Sequence, residues 1–434
     1  MTDTNKKYYS TFKLVCIIFA GTLITSCGAS KKLEVTQSKI TEQLASPFFD
    51  NHYTGFMVYN PRTKQALFQK NAQKYFTPAS NTKIFTLYAS LQLIPKISPL
   101  LKYIKKNNET YIEGVGNPTI FHPDFKDNTA LDFLKSQDRI VLALDNFKSD
   151  KYGAGWAWED YEFYFSPERS SFPLYGNILR TAKTNRLYAS PNYFKQNISL
   201  QKSNINREMD RNQFYLNPNR KDTIDIPFKI NNTIVEKLLE ETIGKNVSIA
   251  AKMPKGEKEI LYGIKTDSIY KKMMQKSDNF LAEQLLIMAS STFSEELDPN
   301  ETIQYVLNTY LPDLKHKPKW VDGSGLSRYN LFTPHSFVQV LEKMYQHTPK
   351  ERLFSIFPAG GRSGTLKNWY KGNPEPYIYA KSGTLGNNYC LSGYLITKSG
   401  KTLIFSFMNN HFTKSTASVK REMQTIFELI RDKY

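Results

Sequence analysis

Apolar and polar positions along this chain fall into three textures. Residues 34–46 carry helical spacing, and residues 55–59 and 65–69 read as two strands around the turn Asn60-Pro61-Arg62-Thr63. An apolar helix is predicted from Ser80 to about Ile94, where Pro95 stops it. At the other end, residues 377–381, 389–397 and 402–408 read as three strands joined by short turns. A helix over 416–432 follows, with Val419, Met423, Ile426, Phe427 and Ile430 on one face. The two ends together predict one antiparallel sheet packed on helices. The middle is different. From about Tyr103 to Gly256 the chain is rich in Asn, Lys and Tyr, with short alternating segments such as 139–144 and little helical patterning before 235–239. Helices resume at 268–274, 280–290, 302–310 and 336–345, with glycine-rich loops at 322–330 and 358–366. This predicts an α/β (α+β) main domain made of residues 27–102 and 259–434, interrupted by a mainly β insertion over 103–258.

Composition changes the picture little until the N-terminus is read. The 434 residues are 40% hydrophobic and 23% charged, ordinary for a globular chain long enough for two to three domains, and unlike coiled coil, collagen or a disordered tail. A net charge of +18 would suit a nucleic-acid partner. However, Lys6, Lys7 and Lys13 precede an apolar stretch, residues 14–25, and Ile24-Thr25-Ser26 leads into Cys27. This segment is too short for the ~20 residues that cross a bilayer. It resembles the lipobox of bacterial lipoproteins, which implies removal of residues 1–26 and lipidation at Cys27. That loss takes away three lysines and Asp3, so the remaining chain carries +16. The expected location is the cell envelope, on a periplasm-facing membrane, with no nucleic-acid partner. Cys16 leaves with the signal and Cys27 carries lipid, so Cys390 stands alone and no internal disulfide is expected.

The chemistry begins at Ser80-Asn81-Thr82-Lys83. Positions i and i+3 of a helix share a face, so the lysine amine can take the serine proton and make Ser80 a nucleophile. The spacing alone is noise, since Ser10, Ser199 and Ser268 also head a Ser-x-x-Lys. Only Ser80 opens an apolar helix, and that setting would bury Lys83 and lower its pKa. Ser277-Asp278-Asn279 sits between two helices, and Lys381-Ser382-Gly383-Thr384 ends a strand. Each has a competitor: Ser190-Pro191-Asn192 and Tyr175-Gly176-Asn177 for the former, and Lys398-Ser399-Gly400, which reads as a hairpin turn, for the latter. The histidines His52, His122, His316, His335, His347 and His411 lack ligand spacing, so no metal is expected, and no nucleotide fingerprint occurs.

The order Ser-x-x-Lys, Ser-x-Asn, Lys-Ser/Thr-Gly is that of penicillin-recognising serine enzymes. From about residue 47 onward the chain resembles the class C low-molecular-mass penicillin-binding proteins, the D-alanyl-D-alanine carboxypeptidase/endopeptidases. The resemblance extends to residues 76–80, Gly114-Val115-Gly116-Asn117-Pro118, residues 155–160, Ser277-Asp278-Asn279-Phe280-Leu281-Ala282-Glu283, residues 322–327 and Gly364-Thr365-Leu366-Lys367. It implies a β-lactamase/transpeptidase-like fold with inserted domains; here 193 residues separate Lys83 from Ser277. It also implies peptidoglycan stem peptides as substrate, β-lactams as inhibitors and no cofactor. In the implied roles Ser80 attacks, Lys83 takes its proton, Ser277 relays a proton, Asn279 holds the substrate amide, and Lys381, Ser382, Gly383 and Thr384 bind the terminal carboxylate. Asn117 and Ser382 stand where the family more often has Asp and Thr. Two rival readings are a β-lactamase, for which Glu296 and Asn300 match the letters of a deacylation loop, and a non-catalytic wall-binding lipoprotein.

Overall fold

The computed structural model describes residues 34–434; the signal segment and Cys27 lie outside the described residues. Helix α1 covers residues 34–44, and β1 (Tyr53–Asn60) and β2 (Gln65–Lys70) form the expected hairpin. A 3-10 turn, Ala79–Thr82, leads into α2 (Lys83–Leu93). The chain then builds β3 (Ile97–Lys106), β4 (Glu109–Gly114), α3 (Thr129–Ser136), β5 (Arg139–Ala143), β6 (Ile178–Lys183), β7 (Leu187–Ser190), β8 (Ile198–Leu200), β9 (Phe214–Leu216), β10 (Ile224–Pro227), α4 (Asn232–Ile243), β11 (Val247–Ile249) and β12 (Glu259–Lys265). Five helices follow: α5 (Thr266–Lys276), α6 (Asn279–Ser290), α7 (Pro299–Thr309), α8 (Pro334–His347) and α9 (Lys350–Ile356). Strands β13 (Ile378–Leu385), β14 (Asn388–Ile396) and β15 (Thr402–Asn410) and helix α10 (Thr416–Lys433) close the chain.

The two chain ends do form one antiparallel sheet, ordered β13-β14-β15-β1-β2. Both faces are covered, which explains why its strands read as nearly continuous apolar runs. Phe56, Val58, Leu391, Phe405 and Phe407 face α1 and α10, whereas Met57, Cys390, Tyr394, Ile404 and Met408 face α2, α6 and α8. Helices α2 and α6 are buried on almost every side, and so read as apolar all round.

The inserted region has its own sheet, β11-β5-β4-β3-β12, and its own core around Leu101, Ile112, Leu142, Phe172 and Phe214. Boundaries expected at 102 and 259 cut this sheet. Strand β3 starts at Ile97, and β12, expected in the main domain, pairs with β3 through Glu259↔Tyr103 and Leu261↔Leu101. Hydrogen bonding therefore joins β3 and β12 to one sheet with β4, β5 and β11, while β10-β6-β7 and β8-β9 form two smaller sheets within the same region. Among the described residues no helix is long and apolar enough to cross a membrane.

Candidate active site

The nucleophile candidate sits at a strained corner. Ala79 has φ +49°, left-handed backbone that costs a residue with a Cβ about 1–2 kcal/mol. Ser80 follows in the 3-10 turn rather than in the α-helix predicted to begin there. The turn is clamped by two glycines. A methyl on Gly325 would lie 1.9 Å from the Ala79 carbonyl oxygen, and one on Gly383 would lie 2.4 Å from Pro78 O and 2.9 Å from Ser80 N. Only glycine lets loop 322–330 and strand β13 approach so closely.

Lys83 opens α2 and is fully buried. Its Nζ lies 3.0 Å from Ser80 Oγ, 2.7 Å from Asn279 Oδ1 and 2.7 Å from Ser324 O. Burial pulls its pKa down to about 8, against the opposing pull of Asp322, Asp278 and Glu283. A neutral amine has two N–H donors, which Asn279 and Ser324 can accept. The lone pair is then left facing the Ser80 hydroxyl.

The second motif is a helix junction. Ser277 caps α5 with φ +58°, a position that helices usually give to glycine. Asp278 caps α6 by accepting from Leu281 N at 2.9 Å. This sharp corner brings Ser277 and Asn279 into the cleft together. Asn279 Nδ2 donates to Phe165 O at 3.0 Å, a main-chain acceptor from the inserted region.

Lys381 is fully buried on β13, donating to Ser277 Oγ at 2.9 Å and to Ser382 O at 2.6 Å. Burial, and secondarily the Lys83 charge, hold its pKa well below the ordinary lysine value. Ser382 Oγ shares a 2.7 Å hydrogen bond with Thr365 Oγ1. A cleft of about 610 Å³ opens over the group, lined by Ser80, Ser277, Asn279, Ser382 and Thr384 and by Asp160, Phe165 and Arg328. Ser80, Lys83, Ser277, Asn279, Lys381, Ser382, Gly383 and Thr384 thus converge from three parts of the chain. A larger cleft of about 750 Å³ beside residues 60–63 and 399–402 holds none of them.

Behind the lysine stands a buried network that sequence spacing did not signal. Asp322 accepts from Gly325 N, Ser327 N, Asn330 Nδ2 and Trp156 Nε1 at 2.7–2.9 Å. Ser324 N donates to Glu283 Oε1 at 2.7 Å, and Glu283 pairs with Arg169 at 3.2 Å, both side chains almost wholly buried. Burial and the neighbouring Asp322 raise the Glu283 pKa. Glu283 thereby fixes the Ser324 carbonyl that receives Lys83. The competing motifs lie elsewhere: Ser199 is in β8 and Ser268 within α5. Asn177 bonds Glu168 O and Ser170 Oγ, Asn192 meets Glu241, and Lys398 pairs with Asp432. Among the described residues no trio of His, Cys, Asp or Glu gathers as a metal site.

The profile of the D-Ala-D-Ala carboxypeptidase 3 (S13) family matches residues 36–432. The chain belongs to that family. Over 170 residues it is 29% identical to the D-alanyl-D-alanine carboxypeptidase DacB of Haemophilus influenzae, covering 37% of this chain and 35% of that protein. Over 154 residues it is 29% identical to the carboxypeptidase DacB of Mycolicibacterium smegmatis, covering 32% and 33%. These alignments therefore span about a third of the relatives' length. The structural likeness extends much further. The solved structure of penicillin-binding protein 4 (dacB) from H. influenzae superposes with a TM-score of 0.69 at 19% identity, over 91% of this chain and 98% of that one. The Bd0816 predatory endopeptidase of Bdellovibrio bacteriovorus gives 0.52 at 15% identity, over 88% and 92%.

Proposed function

We propose that the protein is a serine DD-peptidase acting on the D-alanyl-D-alanine ends of peptidoglycan stem peptides. The observation that carries this reading is the Ser80–Lys83 contact, 3.0 Å long, with a base whose pKa is brought down to about 8. In this reading the neutral Lys83 amine takes the Ser80 proton as Oγ attacks the penultimate D-alanine carbonyl. Ser80 N and Thr384 N form the oxyanion hole, stabilising charge that exists only in the tetrahedral transition state. Ser277, oriented by Lys381, passes a proton to the leaving amine, and Asn279 holds the substrate amide. Water then hydrolyses the Ser80 ester, releasing the shortened peptide as its carboxylic acid and restoring the Ser80 hydroxyl. If the leaving amine belongs to a neighbouring stem peptide, the same steps cut a cross-link. β-Lactams would acylate Ser80; the related H. influenzae protein has been solved with one bound. The envelope location and lipid attachment at Cys27 belong to the same proposal.

The β-lactamase alternative loses its particular support. Glu296 is exposed and faces Lys148 at 3.9 Å, while the Asn300 amide bonds Asp298. Neither lines the cleft. The deciding experiment offers a stem pentapeptide ending in D-Ala-D-Ala and, separately, a chromogenic cephalosporin. Catalytic release of D-alanine with about one equivalent of cephalosporin opened supports the peptidase. Many cephalosporin turnovers without D-alanine release would refute it.

A further inference from the structure

Alternate residues of β13 face opposite sides of the sheet. Lys381 and Gly383 face the Ser80 turn, Lys381 reaching Ser277 and Gly383 packing against residues 78–81. Ile378 and Ala380 belong to the core on the α10 side, so Ser382 and Thr384 present their hydroxyls to that side. Both line the cleft, as does Thr365, which holds Ser382 Oγ. The expected carboxylate cation, Lys381, is therefore on the opposite face from the hydroxyls meant to share its ligand.

On the hydroxyl side the cleft wall includes Lys420 of α10. Its Nζ lies 4.9 Å from the centre of the Trp369 ring and 4.9 Å from that of Tyr389, the cross-strand partner of Thr384. The ammonium is half-buried, and burial lowers its pKa with no acid opposing that shift. Among the described residues no carboxylate or hydrogen-bond acceptor pairs with it. Two ring faces attract a cation but leave its N–H donors unfilled. The cleft's other cations, Lys276 and Arg328, are exposed, and Arg328 has Asp160 as a counter-charge.

We propose that Lys420 is the cation that receives the substrate's terminal carboxylate, in a pocket completed by the hydroxyls of Ser382, Thr384 and Thr365, while Lys381 serves Ser277. This rests on the DD-peptidase reading. It also makes electrostatic sense. A carboxylate and its counter-cation on the α10 side leave the buried Lys83–Lys381 pair undisturbed, so substrate binding does not reset the base.

The test compares kcat/KM for an N-acyl-D-Ala-D-Ala peptide with that for the same peptide ending in a carboxamide, with thermal melts confirming that each variant is folded. The parent should prefer the acid. Lys420→Met should reduce kcat/KM on the acid at least about tenfold while changing the carboxamide rate less than twofold, the loss expected for one charge-assisted hydrogen bond. Lys420→Arg should restore most of the preference. Arg328→Met should leave the acid/amide ratio unchanged. Equal losses on both substrates in Lys420→Met, no loss on either, or an acid-selective loss in Arg328→Met instead would each overturn the assignment. A parent inactive on the acid peptide would overturn the DD-peptidase reading and this inference with it.

Discussion

Gly383→Ala puts the contact between β13 and the Ser80 turn to the test. The added methyl would meet Pro78 O at 2.4 Å and the Ser80 and Asn81 nitrogens at 2.9 Å, all main-chain atoms that no rotamer change can move. An ordinary carbon contact begins near 3.4 Å, so strand and turn must separate by about 0.6–1 Å at a cost of about 1–3 kcal/mol. That separation falls between Ser80 N and Thr384 N, the two proposed oxyanion donors. Displacing reacting geometry by about 1 Å costs about 100-fold in rate. The assay is the second-order acylation rate constant with a fluorescent penicillin, measured by stopped flow beside a thermal melt. About 100-fold slower acylation by a folded protein is expected. Gly400→Ala serves as the comparison. Gly400 has φ +79° and nothing within 4 Å of an added methyl, so strain alone should cost about 1 kcal/mol and leave acylation unchanged. Acylation of folded Gly383→Ala within threefold of the parent would refute the argument that this contact shapes the oxyanion site.

Lys83 must be neutral to accept a proton, and burial brings its pKa to about 8. The neutral fraction rises as pH rises, so acylation should increase about tenfold from pH 7 to pH 9 and level off above; a flat profile over that range would exclude Lys83 as the titrating base. Lys381→Ala should slow acylation at least about tenfold by releasing Ser277, whereas Lys398→Ala, in a turn paired with Asp432, should change it little. Comparable losses in both would place the third motif on the wrong strand. Cys27→Ser should abolish incorporation of a labelled fatty acid while leaving penicillin acylation intact; label persisting in the variant would remove Cys27 as the acceptor.

The elements legible in sequence are those whose pattern is local. The hairpin at residues 53–70, the largely buried helices α2 and α6 and the amphipathic α10 all follow from apolar spacing. The site side chains could be singled out because, of the Ser-x-x-Lys matches, only Ser80 opens an apolar helix, and because the three motifs occur in order. What stayed hidden is non-local. Strand β13 runs to Leu385, past the residue-381 end read from apolar pattern, because β14 continues the ladder through Ser382, Gly383 and Thr384. The pairing of β3 with β12 joins segments some 150 residues apart, and nothing in either announces it. The carbonyls of Ser324 and Phe165 are main-chain groups that any residue type could supply. Glu283 and Trp156 lay in segments singled out by their motifs and Arg169 in none, yet only folding brings the three together behind Lys83. Lys420 looks like one more lysine on the polar face of a helix until Trp369 and Tyr389 are seen around it.

The central claim is that Ser80 is the nucleophile, and intact-mass spectrometry of the protein incubated with benzylpenicillin tests it most directly. One adduct of the full penicillin mass should appear, map by peptide sequencing to Ser80, and be absent from Ser80→Ala. An adduct on another residue, or undiminished labelling of folded Ser80→Ala, would contradict the account.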